Sequence, residues 1–122
     1  MSDAWRSYSS APPIGAPVCE SAVVGEGAAR CLTVETAAGA FPLLLLRRSG
    51  ALSAYVNACP HQYLPLDYRS ADVLSADGAR LLCSAHGAVF DAATGGCLSG
   101  DGADGLDPVP VVERDGLIRI GG

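Results

Sequence analysis

Two short segments each pair one cysteine with one histidine, and this pairing narrows the possible folds more than anything else in the sequence. Cys59 and His61 are separated by one residue, and Cys83 and His86 by two. The pairs use both histidines of the chain and two of its five cysteines. Thiolate sulfur and imidazole nitrogen are common protein ligands of transition metals. The sequence therefore predicts one metal centre with two ligands from each segment.

Two kinds of metal centre accept two cysteines and two histidines. Zinc binds such a set tetrahedrally, but structural zinc sites usually space cysteine from cysteine and histidine from histidine. A Rieske-type [2Fe–2S] cluster instead has both cysteines on one iron and both histidines on the other. Each segment must then supply a ligand to both irons, and a segment with one cysteine and one histidine can do so. The spacing favours the cluster, while a zinc site and a chance co-occurrence of unrelated residues stay open.

Composition and charge exclude several functional classes. The chain has 122 residues, enough for one domain, and 49% of them are apolar. A net charge of −5 disfavours nucleic acid and anionic membranes as partners. The odd cysteine count does not suggest a secreted disulfide framework, and the N-terminus lacks a signal-peptide pattern. The longest apolar run, 41–46, is too short to span a bilayer. Together with the cysteine count and the N-terminus, this makes a cytoplasmic protein the expectation; we also expect a monomer.

Short apolar runs separated by turn signals predict an all-β chain. The turn signals are Ala37–Gly39, Ser49-Gly50 and Asp115-Gly116. The predicted strands cover residues 29–36, 41–47, 52–56, 81–82, 89–90, 108–113 and 117–120. Residues 1–16 are rich in Ser, Ala, Pro and Gly and predict a flexible N-terminal arm, with Trp5 and Tyr8 as candidate anchors.

The residues around the two pairs resemble those of a known family. The run 57–61, followed by Pro65-Leu66-Asp67, is similar to the first cluster loop of Rieske proteins. The run 83–91, followed by Thr94 to Cys97, is similar to the second, and the resemblance extends over about residues 18–120. It implies an antiparallel β-sandwich-like base over 17–122 with a cluster-binding subdomain inserted at about 57–100. It also implies that one [2Fe–2S] cluster is held by Cys59, His61, Cys83 and His86.

The sequence departs from the family pattern at two loops. The gap between His61 and Cys83 is 21 residues, longer than in many stand-alone Rieske ferredoxins, which places an insertion at about 70–78. The loop 99–102 lacks the Gly-Pro that the family usually has in the loop covering the cluster.

A third departure concerns the reduction potential. High-potential respiratory Rieske proteins join the two loops by a disulfide, where this chain has Leu64 and Ala85. They also hydrogen-bond the cluster through a serine and a tyrosine, where this chain has Ala88 and Phe90. Since such bonds stabilise the reduced state, their absence predicts a low potential for a Rieske cluster.

The resemblance implies a soluble electron carrier, not an enzyme. Its partners would be a flavin-containing ferredoxin reductase and a terminal oxygenase, which would dock over Gln62 and the two histidines. The alternatives are a small Rieske subunit of a nitrite reductase-like complex and a zinc-stabilised binding module. A complete oxygenase would need two further histidines and a carboxylate for its mononuclear iron. The chain also lacks a glycine-rich dinucleotide fingerprint, so we do not expect it to oxidise a nicotinamide itself.

Overall fold

The computed structural model of the chain describes residues 4–58, 65–68, 73–83, 88–99 and 105–121. In these ranges it consists of short strands and two single-turn 3-10 helices, Ala4–Ser7 and Ser21–Val23. The strands are β1 (Pro17–Glu20), β2 (Ala29–Thr36), β3 (Gly39–Arg48), β4 (Ala51–Val56), β5 (Arg80–Leu82), β6 (Val89–Asp91), β7 (Cys97–Ser99), β8 (Val111–Arg114) and β9 (Leu117–Ile120). Within the described ranges, no helix has the length and apolar character needed to cross a membrane.

The chain divides into two compact units, one inserted in the other. The base unit is made of Met1–Val56 and Asp107–Gly122, and the inserted unit is Asn57–Leu106. All the pairings between the described strands are antiparallel, in three sheets of three strands. The predicted all-β class is therefore confirmed. The predicted boundary between an arm at 1–16 and a domain at 17–122 stays a prediction.

The core of the base unit is built on β3, the central strand of the sheet β2-β3-β4. Leu43 to Leu46 are four consecutive residues with at most 1% of their surface exposed. Successive side chains of a strand point to opposite faces, so both faces of β3 are covered. The continuous apolar run in the sequence reflects this position. The turn to β4 is made by Ser49 and Gly50, whose φ angles of 51° and 78° match a tight hairpin.

The second sheet of the base unit, β1-β9-β8, has one covered face. Ile118 and Ile120 of β9 are buried, whereas Leu117 and Arg119, which alternate with them along the strand, are exposed. This alternation is typical of a strand with one side in the core. β8 and β9 are joined through Asp115 and Gly116, the predicted hairpin turn.

Aromatic side chains anchor the described start of the chain on the base unit. The rings of Trp5 and Tyr8 meet the Phe41 ring edge-on, with centroids 6.4 Å and 6.1 Å away. Trp5 is buried, and the Tyr8 hydroxyl donates to Oδ2 of Asp107 over 3.3 Å. The Val56 amide in turn donates to the Asp107 carbonyl over 2.9 Å. Trp5 and Tyr8 therefore attach the described start of the chain to the base unit.

The strands differ from the sequence prediction mainly where they are short. β2 and β9 have the predicted bounds, β3 and β4 lie within two residues of theirs, and β8 begins three residues later than predicted. β1 and β7 were not predicted, because four and three residues are too few to establish a period of two.

Candidate cluster-binding site

The inserted unit is organised around the small sheet β5-β6-β7. Leu81 of β5 lies opposite Phe90 of β6, and both side chains are fully buried. The chain enters β5 through a turn in which Asp77 Oδ1 accepts from the Ser75 hydroxyl at 2.6 Å and from the Ala79 amide at 3.0 Å. These hydrogen bonds hold the pKa of the Asp77 carboxyl below its usual value. The turn is the described part of the insertion predicted at about 70–78.

The connection that contains His86, residues 84–87, is called the second loop below. Its flanking residues are Cys83, directly after β5, and Ala88, directly before β6. The Cys83 amide donates to the Ala88 carbonyl over 2.9 Å, and both side chains are 99% buried. A backbone hydrogen bond therefore closes the base of the second loop.

The connection that contains Cys59 and His61, residues 58–65, is called the first loop below. It is closed differently, by the side chain of Asn57. Its Oδ1 accepts from the Leu66 amide at 2.8 Å, and its Nδ2 donates to Oδ1 of Asp67 at 3.1 Å. Asn57 is only 5% exposed and is a buried polar residue amid apolar ones. The residue before the loop and the two after it are thus bonded to each other.

A glycine near the end of the inserted unit lies very close to another part of the backbone. Gly105 has a φ of +75°, and a β-carbon built on it would lie 2.6 Å from the Gly95 carbonyl oxygen. The next amide, Leu106, donates to that oxygen over 2.8 Å. Only glycine fits so close to another backbone in this conformation.

The described residues include one of the four predicted ligands. Cys83 is buried at the base of the second loop. Cys59, His61 and His86 lie outside the described ranges, as do the predicted docking residue Gln62 and the positions Leu64 and Ala85. In the ranges described, no three His, Cys, Asp or Glu side chains gather as a metal site. Ala88 and Phe90, which replace a serine and a tyrosine, are both buried and carry no side-chain donor.

The donor set nevertheless fits a [2Fe–2S] cluster. In the predicted ligand set, each loop with its flanking residues would supply one cysteine and one histidine, and the base of each loop is closed by hydrogen bonds within one compact unit. Closed bases reduce the conformational freedom that must be lost when ligands are fixed. The surroundings are apolar, with Leu66, Leu81 and Phe90 fully buried.

Sequence reasoning missed two parts of this site. The bond between Asn57 and Asp67 joins side chains ten positions apart, although both residues belong to the run that resembles the first loop. The requirement for glycine at 105 depends on a contact with Gly95, which the sequence does not encode locally. A polar residue directly after the apolar strand β4 was the one available signal for Asn57.

Comparison with known proteins gives a consistent result. The family model for the Rieske [2Fe-2S] domain matches residues 15–110. No curated protein sequence matches the chain. Among solved structures, the ferredoxin of carbazole 1,9a-dioxygenase from Nocardioides aromaticivorans IC177 has a TM-score of 0.70 at 18% identity, covering 89% of this chain and 98% of that one.

Two further solved structures are similar to the chain. A chain in the complex of reduced oxygenase and oxidized ferredoxin in carbazole 1,9a-dioxygenase gives a TM-score of 0.70 at 24% identity, covering 91% of this chain and 95% of that one. Apo dicamba monooxygenase gives a TM-score of 0.62 at 29% identity, covering 85% of this chain but only 31% of that one. At these identities the first two show a common fold.

Proposed function

The chain belongs to the Rieske [2Fe–2S] domain family and binds a [2Fe–2S] cluster, and we propose that it carries single electrons between two protein partners. The observation that carries the proposal is the family match over 15–110, which includes both cysteine–histidine pairs. When bound, a Rieske cluster takes up and gives back one electron at a time. The protein's own part is to hold, shield and orient it.

The proposed ligands are Cys59, His61, Cys83 and His86. Cys83 is the one proposed ligand within the described ranges, and it lies buried at the closed base of the second loop. The cluster-binding subdomain predicted at about 57–100 would then lie within the inserted unit, Asn57–Leu106. That unit fixes the two loops by hydrogen bonds at their bases.

The proposed partners are a flavin-containing ferredoxin reductase as donor and a terminal oxygenase as acceptor. The fold is shared with a ferredoxin solved together with its oxygenase. In this role the chain is the electron-transfer component of a multicomponent oxygenase system and catalyses no reaction itself.

The first experiment measures metal content and spectrum in protein purified from iron-replete cells. We expect two irons and two acid-labile sulfides per chain, with a rhombic EPR signal of average g below 2 after reduction with dithionite. Stoichiometric zinc without iron would contradict the proposal.

The second experiment tests the ligand assignment with matched cysteine variants. Cys59→Ser and Cys83→Ser should lose the cluster, because a serine oxygen is a poor substitute for a thiolate on iron. Cys97→Ser is the control: Cys97 lies in the same unit, on β7, but outside the ligand set. Full iron in Cys83→Ser, or its loss in Cys97→Ser, would overturn the assignment.

A further inference from the structure

Among the described residues, the base of the first loop is closed by an amide side chain, whereas the base of the second is closed by the backbone. Asn57 spans the base of the first loop through bonds of 2.8 Å to the Leu66 amide and 3.1 Å to the Asp67 carboxylate. At the second loop, the Cys83 amide and the Ala88 carbonyl form the closing bond. A side-chain closure can be removed by exchanging that side chain alone, whereas the backbone closure would require proline in place of Cys83, itself a proposed ligand.

The orientation of the Asn57 amide is set by its two partners. A carboxylate only accepts hydrogen bonds, so Asp67 requires the NH₂ group of Asn57 to face it. The amide oxygen is then left for the Leu66 N–H, whose residue is fully buried. The Asn57 oxygen thus accepts from a buried backbone N–H, and the orientation that allows this is fixed by the bond of Asn57 to Asp67.

We propose that Asn57 is a positioning residue that sets the geometry of the first loop and thereby how firmly Cys59 and His61 hold the cluster. Asp67 orients Asn57 in this role. The inference rests on the proposed function, since it takes those two residues as ligands. It adds a determinant of cluster retention that lies outside the ligand set.

The test exchanges the two side chains. Asn57→Asp places two carboxylates against each other, which removes the donor and adds like-charge repulsion. Asn57→Leu removes both bonds without a change of charge. The double variant Asn57→Asp/Asp67→Asn restores both bonds with the two side chains exchanged. The new carboxylate at position 57 accepts from the Leu66 N–H, and the new amide at position 67 donates to that carboxylate.

The measurements are the rate of iron loss to a chelator and the EPR spectrum of the reduced protein. They are made at a temperature at which far-UV circular dichroism shows every variant folded. We expect Asn57→Asp and Asn57→Leu to lose iron about tenfold faster than the wild type, which corresponds to an activation free energy lower by about 1.4 kcal/mol. We also expect broader EPR lines in both variants. The double variant should return to within about twofold of the wild-type rate.

Asp77→Asn is the matched control, because Asp77 closes a turn of the same unit that contains no proposed ligand. It should leave iron loss and EPR line shape unchanged. Wild-type behaviour of Asn57→Leu, failure of the double variant to recover, or an equal effect of Asp77→Asn would each overturn the inference. Absence of iron from the wild-type protein would instead be a failure of the proposed function.

Discussion

Gly105 and Gly78 adopt nearly the same backbone conformation in very different surroundings. Their φ angles are +75° and +74°, but a β-carbon at Gly105 would approach the Gly95 oxygen to 2.6 Å, whereas one at Gly78 would meet nothing within 4 Å. Alanine at either position pays about 1–2 kcal/mol for a left-handed conformation. At Gly105 it must also displace a backbone segment, at a further cost of about 1–3 kcal/mol.

We therefore expect Gly105→Ala to lower the thermal midpoint of the iron-loaded protein by several degrees more than Gly78→Ala. Thermal scans followed by circular dichroism at one scan rate compare the two variants directly. Equal midpoints would mean that the close approach of Gly105 to Gly95 does not contribute to stability.

The ion pair of Arg47 and Glu113 predicts a pH dependence of the stability of the base unit. The guanidinium contacts both carboxylate oxygens, at 3.0 Å and 2.6 Å, and this lowers the pKa of Glu113 from 4.5 to about 2. A depressed folded-state pKa gives stability that is present above the unfolded value and lost as pH falls towards the folded value. The contribution of Glu113 is therefore complete above pH 4.5 and disappears towards pH 2.

The measurement compares thermal midpoints of the wild type and Glu113→Gln between pH 7 and pH 2. We expect the wild type to be the more stable at pH 7 and the difference to vanish towards pH 2. Both proteins carry the same cluster site, so acid lability of the cluster contributes equally to both. A difference that does not change with pH would show that the ion pair is not its source.

At the scale of elements, the sequence predicts the long strands and the tight turns but not the closures between them. The apolar run of β3 and the hairpins at Ser49-Gly50 and Asp115-Gly116 could be predicted, because each has a local pattern. The Asn57–Asp67 bond could not, since it depends on a fold that brings two side chains together. The family resemblance supplied the candidate ligands, and the structure adds how the loops of these residues are closed.

Two side chains at the start of strand β6 affect the reduction potential that we expect for the cluster. The side chains of Ala88, directly before β6, and of Phe90, within it, have no polar hydrogen to donate. We expect a midpoint near the low end of the Rieske range, about −150 mV, not +300 mV. Ala88→Ser should raise the midpoint by about 20–60 mV, the equivalent of one hydrogen bond of about 0.5–1.5 kcal/mol in a one-electron couple.

Protein-film voltammetry at pH 7 measures both quantities. Ala54→Ser is the control, because Ala54 is also buried but lies on β4 of the base unit. A wild-type midpoint above about +100 mV would contradict the reasoning from Ala88 and Phe90, and so would an equal shift in Ala54→Ser.

At the scale of the whole molecule, the negative charge is concentrated in the inserted unit. Of the net charge of −5, this unit contributes −4, from six aspartates and two arginines. The acidic residues are Asp67, Asp72, Asp77, Asp91, Asp101 and Asp104, against Arg69 and Arg80. The proposed ligands belong to the same unit, so a partner that approaches the cluster meets an acidic domain. We therefore expect the docking face of that partner to be basic.

This distribution predicts how electron transfer responds to salt and to added charge. Reduction by the proposed flavin-containing reductase should slow as ionic strength rises, because screening shortens the reach of the attraction from about 30 Å at 0.01 M to about 8 Å at 0.15 M. Gln62→Arg, in the first loop, should slow it at low salt while the midpoint stays nearly unchanged. Thr33→Arg adds the same charge at an exposed position of β2 in the base unit, and should have a smaller effect. Stopped-flow reduction of the three proteins at several ionic strengths measures all of this. If the rate of reduction does not change with ionic strength, or if Thr33→Arg slows transfer as much as Gln62→Arg, the charge of the inserted unit does not guide docking.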